Sequence, residues 1–167
     1  KLLVMLPLLQ KIKDRVRVVH QTGDRDLAMV RQAYEQAGVE ADVQPFIVDM
    51  ASAYAASDLI ICRAGATSLA EITAAGKASV LIPFPYAADD HQTENARAMV
   101  EAGAAAMIRE SDLTAGALYS LVASLLGDDN KLRGMEEKSK ALGRPDAAAR
   151  MVDECIKLAA ENQHSTG

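Results

Sequence analysis

Short apolar segments alternate along this chain with longer segments whose apolar residues recur at helical spacing. Residues 15–20 and 43–48 are rich in β-branched side chains, and residues 59–62, 79–82 and 104–108 are short apolar runs. Strands separated by helices of this length pair in parallel, because a crossover connection returns the chain to the same end of the sheet. The alternation therefore predicts an α/β fold, a Rossmann-like parallel sheet with helices on both faces.

The segments between these runs carry helical patterns. Leu27, Val30, Tyr34 and Ala37 lie on one apolar stripe, and Gly38 ends that helix as a glycine C-cap does. Further helices are predicted at residues 50–56, from residue 66 to about 76, at residues 89–102, and in three segments beyond residue 108.

The last of these helices is predicted to begin at Pro145, a favourable first-turn residue, and to bury Val152, Ile156 and Ala159. Polar residues 162–167 follow it and are predicted to form a frayed tail. No repeat or low-complexity linker divides the chain, so residues 1–161 are predicted to form a single domain.

Charge and cysteine usage narrow the class of protein. The 167 residues carry a formal net charge of −5, which argues against a broad nucleic-acid surface, since such a surface needs a basic excess. Cys62 and Cys155 have no metal-ligand spacing and lie in apolar stretches, so both are predicted to be small buried hydrophobes. No apolar run approaches the length of a membrane span, and a cytoplasmic location is expected.

The most informative segment is residues 62–71, CRAGATSLAE. Gly65 can take a positive φ and can let backbone approach a ligand at a helix start, where free N–H groups hold phosphate. Thr67 and Ser68 add hydroxyl donors at the same place. Ser68 and Glu71 also match a capping box, in which Glu71 satisfies donors of its own helix. The residues alone support both interpretations equally.

A second polar segment, residues 83–95, leaves an apolar run through two prolines and begins a helix. Gln92 and Asn95 offer donors and acceptors suited to sugar hydroxyls. The spacing alone favours a different interpretation, a solvated helix start with Asp89 or Asp90 as its N-cap.

Histidines and adjacent carboxylates add little. Asp89, Asp90 and His91 lack a further carboxylate or histidine at matching spacing, so no metal site is predicted. His20 ends a predicted strand, where a lone histidine is more often structural than functional. The chain has no nucleophile elbow, no dinucleotide fingerprint and no Walker A sequence.

Five phrases in register resemble the carboxyl-terminal domain of the MurG family of glycosyltransferases. They are HQTG at 20–23, FIVDM at 46–50, ASDLIICRAGATSLAEI at 56–72, IPFPYAADDHQTENA at 82–96 and EAGAA at 101–105. Enzymes of this family move N-acetylglucosamine from its UDP donor onto an undecaprenyl-linked N-acetylmuramoyl-pentapeptide in peptidoglycan synthesis. The resemblance implies the donor-binding half of a GT-B architecture, in which two Rossmann-like halves face each other across a cleft.

The resemblance also implies which residues bind UDP-N-acetylglucosamine. Phe46 and Ile47 would line a uracil pocket, Glu71 would hold the ribose, and Gln92 would read the sugar. The full set of implied substrate-binding residues is Phe46, Ile47, Gly65, Ala66, Thr67, Ser68, Leu69, Ala70, Glu71, Gln92, Thr93 and Asn95. No cofactor is implied. The general base, the lipid-linked acceptor site and most of the contact with the inner face of the membrane would lie in an amino-terminal domain, so no catalytic residue is assigned.

Two departures from the family pattern bear on donor binding. The family domain opens with a strand and a Gly-Gly-Ser turn that helps to hold the phosphates, whereas Met5 directly follows a strand-like segment at residues 1–4. Val48 replaces an acidic residue expected after Phe46 and Ile47. Two alternatives remain: a donor domain for another UDP-sugar used by a lipid glycosyltransferase, and a non-catalytic Rossmann-like domain.

Overall fold

The computed structural model describes residue 3, residues 6–86 and residues 90–164, and within these it contains five strands and eight α-helices. The strands are β1 (Val18–Gln21), β2 (Ala41–Gln44), β3 (Ile60–Cys62), β4 (Ser79–Leu81) and β5 (Ala105–Met107). The helices are α1 (Leu6–Leu9), α2 (Leu27–Ala37), α3 (Met50–Ala55), α4 (Ala66–Ala75), α5 (His91–Glu101), α6 (Ala115–Leu126), α7 (Asp129–Leu142) and α8 (Ala147–His164).

All five predicted strands are present; three agree with the structure to within one residue at each end, and two differ by more. The segment predicted at 15–20 begins only at Val18, because Lys13–Arg15 form a 3₁₀ turn. The strand predicted at 43–48 runs instead over Ala41–Gln44, and Pro45, which has no N–H to donate, follows its end. Residues 46–48 are therefore loop residues. The strand-like start at residues 1–4 falls mostly outside the described residues.

Every strand pair in the described chain is parallel, as predicted. β1 pairs with β2, with Val18 opposite Ala41. In a second sheet β4 lies between β3 and β5, with Ser79 opposite both Ile60 and Ala105. Each parallel pair is joined by at least one helix, which is the connection that parallel strands require.

Helices cover both faces of the sheet formed by β3, β4 and β5, and the core reflects this. Val80 packs in a cluster with residues of α1, α2, α6 and α7, and with Val43 of β2, so the two sheets share one core. The next residue, Leu81, packs in a separate cluster against Ala96 and Met99 of α5. Neighbouring strand residues point to opposite faces, and both faces of β4 are buried.

Two glycines fix the ends of helices. Gly38 has a φ of +61° and closes α2 with backbone hydrogen bonds to Glu35 and Tyr34, as predicted. Gly143 follows α7, where an added Cβ would lie 2.5 Å from the carbonyl oxygen of Thr73 in α4. The end of α7 therefore packs directly on the backbone of α4.

The prediction that the last helix buries an apolar stripe is wrong. Val152 and Ile156 are 57% and 62% exposed, and Ala159 is also exposed. The helix begins at Ala147 rather than Pro145 and continues to His164, into the segment predicted as a tail. Cys155, predicted to be buried, is exposed on the same helix. These side chains are exposed because no other described element covers α8. None of the described helices is long and apolar enough to cross a membrane.

Candidate ligand-binding site

Two loops, one with a single glycine and the other with two prolines, follow the carboxyl ends of β3 and β4. Residues 63–65 connect β3 to α4, and residues 82–90 connect β4 to α5. Because β3 and β4 are parallel neighbours, these loops lie at the same edge of the sheet, where open α/β sheets bind their ligands. The Nδ2 group of Asn95 donates to the carbonyl oxygen of Ala64 at 3.1 Å and ties α5 to the first loop.

The first turn of α4 has no side-chain cap. Its N-cap residue is Gly65, with φ −70° and ψ 143°, so Gly65 does not adopt the positive φ that is open to a glycine. A Cβ built on Gly65 would meet no described atom within 4 Å, which leaves open space in front of the helix. Ala66 and Thr67 are exposed beside that space, and Ser68 is partly buried. Uncapped amides and the positive end of the helix dipole favour an anion there.

The capping box formed by Ser68 and Glu71 does not exist in the structure. Since Gly65 is the N-cap, Ser68 is the third residue of α4 and Glu71 is the sixth, so Glu71 lies too far along the helix to cap it. Leu69 is also committed elsewhere, because its side chain packs on the core and its N–H donates to the oxygen of Gly65. Ala70 is exposed on the surface of the helix.

Glu71 instead has a partner that the sequence did not reveal. The hydroxyl of Tyr54 in α3 donates to Glu71 Oε2 at 2.9 Å. Burial raises the pKa of Tyr54 above its usual value, and the hydrogen bond to Glu71 and its charge raise this pKa further. The phenol therefore stays protonated and can hold the exposed carboxylate in one orientation. The sequence signal for this contact was Tyr54 itself, because it is a single tyrosine in an alanine-rich helix of a chain with only 4% aromatic residues.

The two residues predicted for a uracil pocket lie in the loop after β2. Phe46 is 66% exposed, and Val48, the residue that departs from the family pattern, is 89% exposed. The backbone N–H of Ile47 donates to Gln21 Oε1 at 2.9 Å. This loop leads into α3, whose residue Tyr54 contacts α4, so α3 links it to the other candidate residues.

The loop between β4 and α5 orients the side chain of Gln92 through a backbone N–H group. The N–H of Phe84 donates to Gln92 Oε1 at 3.0 Å, so the Nε2 donors point away from that peptide. Thr93 is buried, and its hydroxyl donates to Asp90 Oδ1 at 2.6 Å. This hydrogen bond joins the end of the loop to the first turn of α5. Asp90 has a φ of +52° and makes no side-chain bond to the helix amides. The alternative cap, Asp89, lies outside the described residues.

Arg63, which was not predicted, joins the two loops. Its Nη1 donates to the carbonyl oxygens of Ile82 and Pro83 at 3.1 and 2.9 Å. The same nitrogen lies 2.6 Å from Glu110 Oε2, and the guanidinium carbon lies 5.3 Å from the centre of the Phe84 ring. A single arginine in an apolar phrase gave no sequence signal for these contacts.

The remaining titratable candidates have structural environments. His20 Nδ1 is 3.1 Å from the hydroxyl of Tyr34, and burial lowers the pKa of His20 below its ordinary value of 6.5. Burial raises the pKa of the Cys62 thiol to about 11, so this thiol is protonated at neutral pH. In the described residues no group of three or more histidine, cysteine or acidic side chains is arranged to hold a metal ion.

These features define a Rossmann-like α/β domain that offers an uncapped helix start to an anion, with a carboxylate and a carboxamide nearby. Residues 2–151 match the Glycosyltransferase family 28 C-terminal domain. The chain therefore belongs to glycosyltransferase family 28 and matches the C-terminal domain of that family. This match supports the predicted fold class, and the relatives and the solved structure that follow confirm it together with the resemblance to the MurG family.

Individual relatives agree with this assignment. The chain is 54% identical over 147 residues to the UDP-N-acetylglucosamine–N-acetylmuramyl-(pentapeptide) pyrophosphoryl-undecaprenol N-acetylglucosamine transferase of Myxococcus xanthus (strain DK1622). The matched residues make up 88% of this chain and 38% of that protein. The protein of the same name from Syntrophus aciditrophicus (strain SB) is 53% identical over 153 residues, or 92% of this chain and 42% of that protein. The chain thus spans about two-fifths of the length of these relatives.

Solved structures show the same partial coverage. The crystal structure of Acinetobacter baumannii MurG matches with a TM-score of 0.82 and 36% identity, over 91% of this chain and 44% of that one. The glycotransferase of kitacinnamycin shares the fold at 19% identity and a TM-score of 0.63.

Proposed function

We propose that this chain binds UDP-N-acetylglucosamine as the donor half of an inverting transferase that adds N-acetylglucosamine to an undecaprenyl-linked muramoyl-pentapeptide. The observation that carries the proposal is the start of α4, where uncapped amides face open space at Gly65. A diphosphate in that space would accept hydrogen bonds from the first-turn N–H groups and lie at the positive end of the helix. The names of the relatives support the choice of donor.

Glu71 is the proposed ribose ligand. A carboxylate can accept hydrogen bonds from both ribose hydroxyls, and charged acceptors form stronger bonds than neutral ones. Glu71 is exposed on the same helix as the proposed diphosphate site, six residues after Gly65. Its bond from Tyr54 restricts the carboxylate before the ligand arrives, which reduces the entropy lost on binding.

The loop after β2 is the proposed base site. Exposed Phe46 offers an apolar surface, and the Ile47 N–H is a donor suited to a uracil carbonyl. Since Gln21 accepts from that N–H in this structure, the base would have to replace Gln21 as the acceptor. A site that reads one base edge leaves polar groups unpaired when another base enters, which gives preference for uridine nucleotides.

Gln92 and Asn95 are the proposed sugar-reading residues. Gln92 presents its Nε2 donors with its oxygen already held by Phe84. Asn95 holds the α5 start against Ala64, next to Gly65. Thr93 has an indirect part in the proposal, since its hydroxyl holds the Asp90 carboxylate.

The transfer itself would need a second domain. In an inverting reaction the acceptor hydroxyl attacks the anomeric carbon while UDP leaves, and the α4 amides would stabilise the charge that develops on UDP. We assign the general base and the lipid-linked acceptor site to an amino-terminal domain. Exposed apolar side chains on α8 offer a surface on which that domain would pack; they are Met151, Val152, Ile156 and Leu158. The intact enzyme would work in the cytoplasm at the inner face of the membrane.

Calorimetric titration of the chain with UDP-N-acetylglucosamine, UDP and ADP tests the proposal. We expect the two uridine nucleotides to bind and ADP to bind much more weakly. Competition by UDP-galactose or UDP-glucose separates this donor from other UDP-sugars. Equal binding of UDP and ADP would contradict the base site, and no binding of any nucleotide would favour a non-catalytic domain. A radiolabelled-sugar assay should show little transfer to lipid by the chain alone.

A further inference from the structure

Arg63 holds the peptide group between Pro83 and Phe84, in the loop that connects β4 to α5. Its Nη1 donates to the carbonyl oxygen of Pro83, and the N–H of the same peptide unit, that of Phe84, donates to Gln92 Oε1. A peptide group is planar, so fixing its oxygen also fixes the direction of its N–H. The guanidinium of Arg63 and the carboxamide of Gln92 are therefore connected through one rigid unit.

Three further contacts hold Arg63 itself in place. Nη1 also donates to the oxygen of Ile82, lies 2.6 Å from Glu110 Oε2, and belongs to a guanidinium placed over the ring of Phe84. The Arg63 and Glu110 side chains are 33% and 22% exposed, so water competes only in part for this ion pair. Arg63, which directly follows β3, is therefore held by residues that follow β4 and by Glu110, which follows β5.

We propose that Arg63, held by Glu110, is a positioning residue that sets the orientation of Gln92 and so contributes to selection of the sugar. This inference rests on the proposed function of Gln92 in reading the sugar. Arg63 acts through the Pro83–Phe84 peptide and makes no contact with the nucleotide in this scheme. Its loss should affect recognition of the sugar and leave recognition of UDP almost unchanged.

The experiment measures the affinities of the chain for UDP and for UDP-N-acetylglucosamine in Arg63→Met, which keeps an unbranched side chain but removes every donor. We expect UDP affinity to stay within about threefold of the unmodified chain. The ratio of the UDP-N-acetylglucosamine affinity to the UDP affinity should fall about three- to tenfold, the value of one neutral hydrogen bond. Discrimination against UDP-N-acetylgalactosamine, which differs in one hydroxyl orientation, should fall with it.

Two further variants make the test specific. Arg97→Met removes an arginine of α5 that pairs with Glu94 on the helix surface, and it should leave the ratio unchanged. Arg63→Met combined with Gln92→Leu should lower the ratio no further than Gln92→Leu alone, because both changes act on one contact. Glu110→Gln, a smaller change, should lower the ratio less and serves if Arg63→Met does not fold, as judged by melting curves.

The outcomes separate this inference from the proposed function. Equal losses of UDP and UDP-N-acetylglucosamine affinity in Arg63→Met would show that Arg63 only stabilises the fold, and would overturn the inference. An unchanged ratio, or an additive effect with Gln92→Leu, would overturn it as well. If the unmodified chain binds neither ligand, the proposed function fails and this inference fails with it.

Discussion

Gly65→Ala separates folding from binding at the start of α4. The φ of −70° and ψ of 143° at Gly65 are accessible to alanine, and an added Cβ meets no described atom within 4 Å. Two effects on stability oppose each other. Alanine reduces the freedom of the unfolded chain, which stabilises the fold by about 0.4–1 kcal/mol, but it is a poorer N-cap than glycine by a similar amount. We therefore expect the free energy of unfolding to change by less than about 1 kcal/mol.

Nucleotide binding should respond much more strongly to the same change. The new methyl group would project into the open space in front of the α4 amides, where we place the diphosphate. A charge-assisted hydrogen bond contributes about 1.5–3 kcal/mol, and a displaced phosphate would lose at least one. The expected loss of UDP affinity is therefore roughly 10- to 150-fold.

Calorimetric titration with UDP, beside urea unfolding of the same samples, measures both effects. Gly116→Ala is the matched control, because Gly116 is an exposed residue in the first turn of α6 and its added Cβ also enters open space. This control should bind UDP like the unmodified chain. Undiminished UDP affinity in a folded Gly65→Ala protein would refute the placement of the diphosphate at α4.

Three other expectations concern side chains near and beyond the site. Glu71→Ala should lower the affinity for UDP about tenfold to hundredfold with little change in stability, and Tyr54→Phe should lower it by a smaller factor. In both variants the affinity for 2′-deoxy-UDP should fall by less than the affinity for UDP, because that nucleotide lacks one ribose hydroxyl. Equal losses of affinity for the two nucleotides in calorimetric titration would contradict the ribose contact. A thiol reagent at neutral pH should label exposed Cys155 rapidly and Cys62 slowly, because burial keeps the Cys62 thiol protonated; rapid labelling of two thiols in the folded chain would contradict this. The pKa of His20 is lower in the folded chain than in the unfolded chain, so this residue's contribution to stability is present above about pH 6.5 and is lost as the pH falls through the folded value. Urea unfolding at about pH 7.5 and about pH 5.5 should therefore show a smaller difference for His20→Gln than for the unmodified chain, and equal differences would exclude the effect.

The order and type of the elements follow from the sequence because strand and helix patterns are local. The ends of strands depend on pairing, which is not local. Residues 46–48 have the apolar character of a strand, but the paired strand has already ended at Gln44, before a proline. The buried stripe predicted for α8 fails for the same reason, since the apolar spacing is present but nothing in the described residues covers it.

The arrangement of the candidate site was predictable where it depends on a motif and not where it depends on contacts between side chains from distant segments. The glycine before a helix located the start of α4, although Gly65 does not use the positive φ that is open to a glycine. The hydrogen bond from Tyr54 to Glu71 joins residues 17 positions apart, and the ion pair of Arg63 with Glu110 joins residues 47 positions apart. No spacing rule predicts either contact. The family resemblance implied that Thr93 binds the substrate, and the sequence did not reveal that its hydroxyl donates to Asp90.

The close approach of Gly143 to Thr73 fixes α4 at the end opposite the turn where we propose that an anion binds. Any side chain at position 143 would push on the backbone of α4, because the nearest atom is a carbonyl oxygen and cannot rotate aside. A ten-residue helix is about 15 Å long and moves nearly as a rigid rod, so displacement at one end reaches the other. If this turn binds the diphosphate as proposed, substitution of Gly143 should lower nucleotide affinity from a distance. Variation at this position would then tune or abolish binding without any change in the residues proposed to touch the ligand.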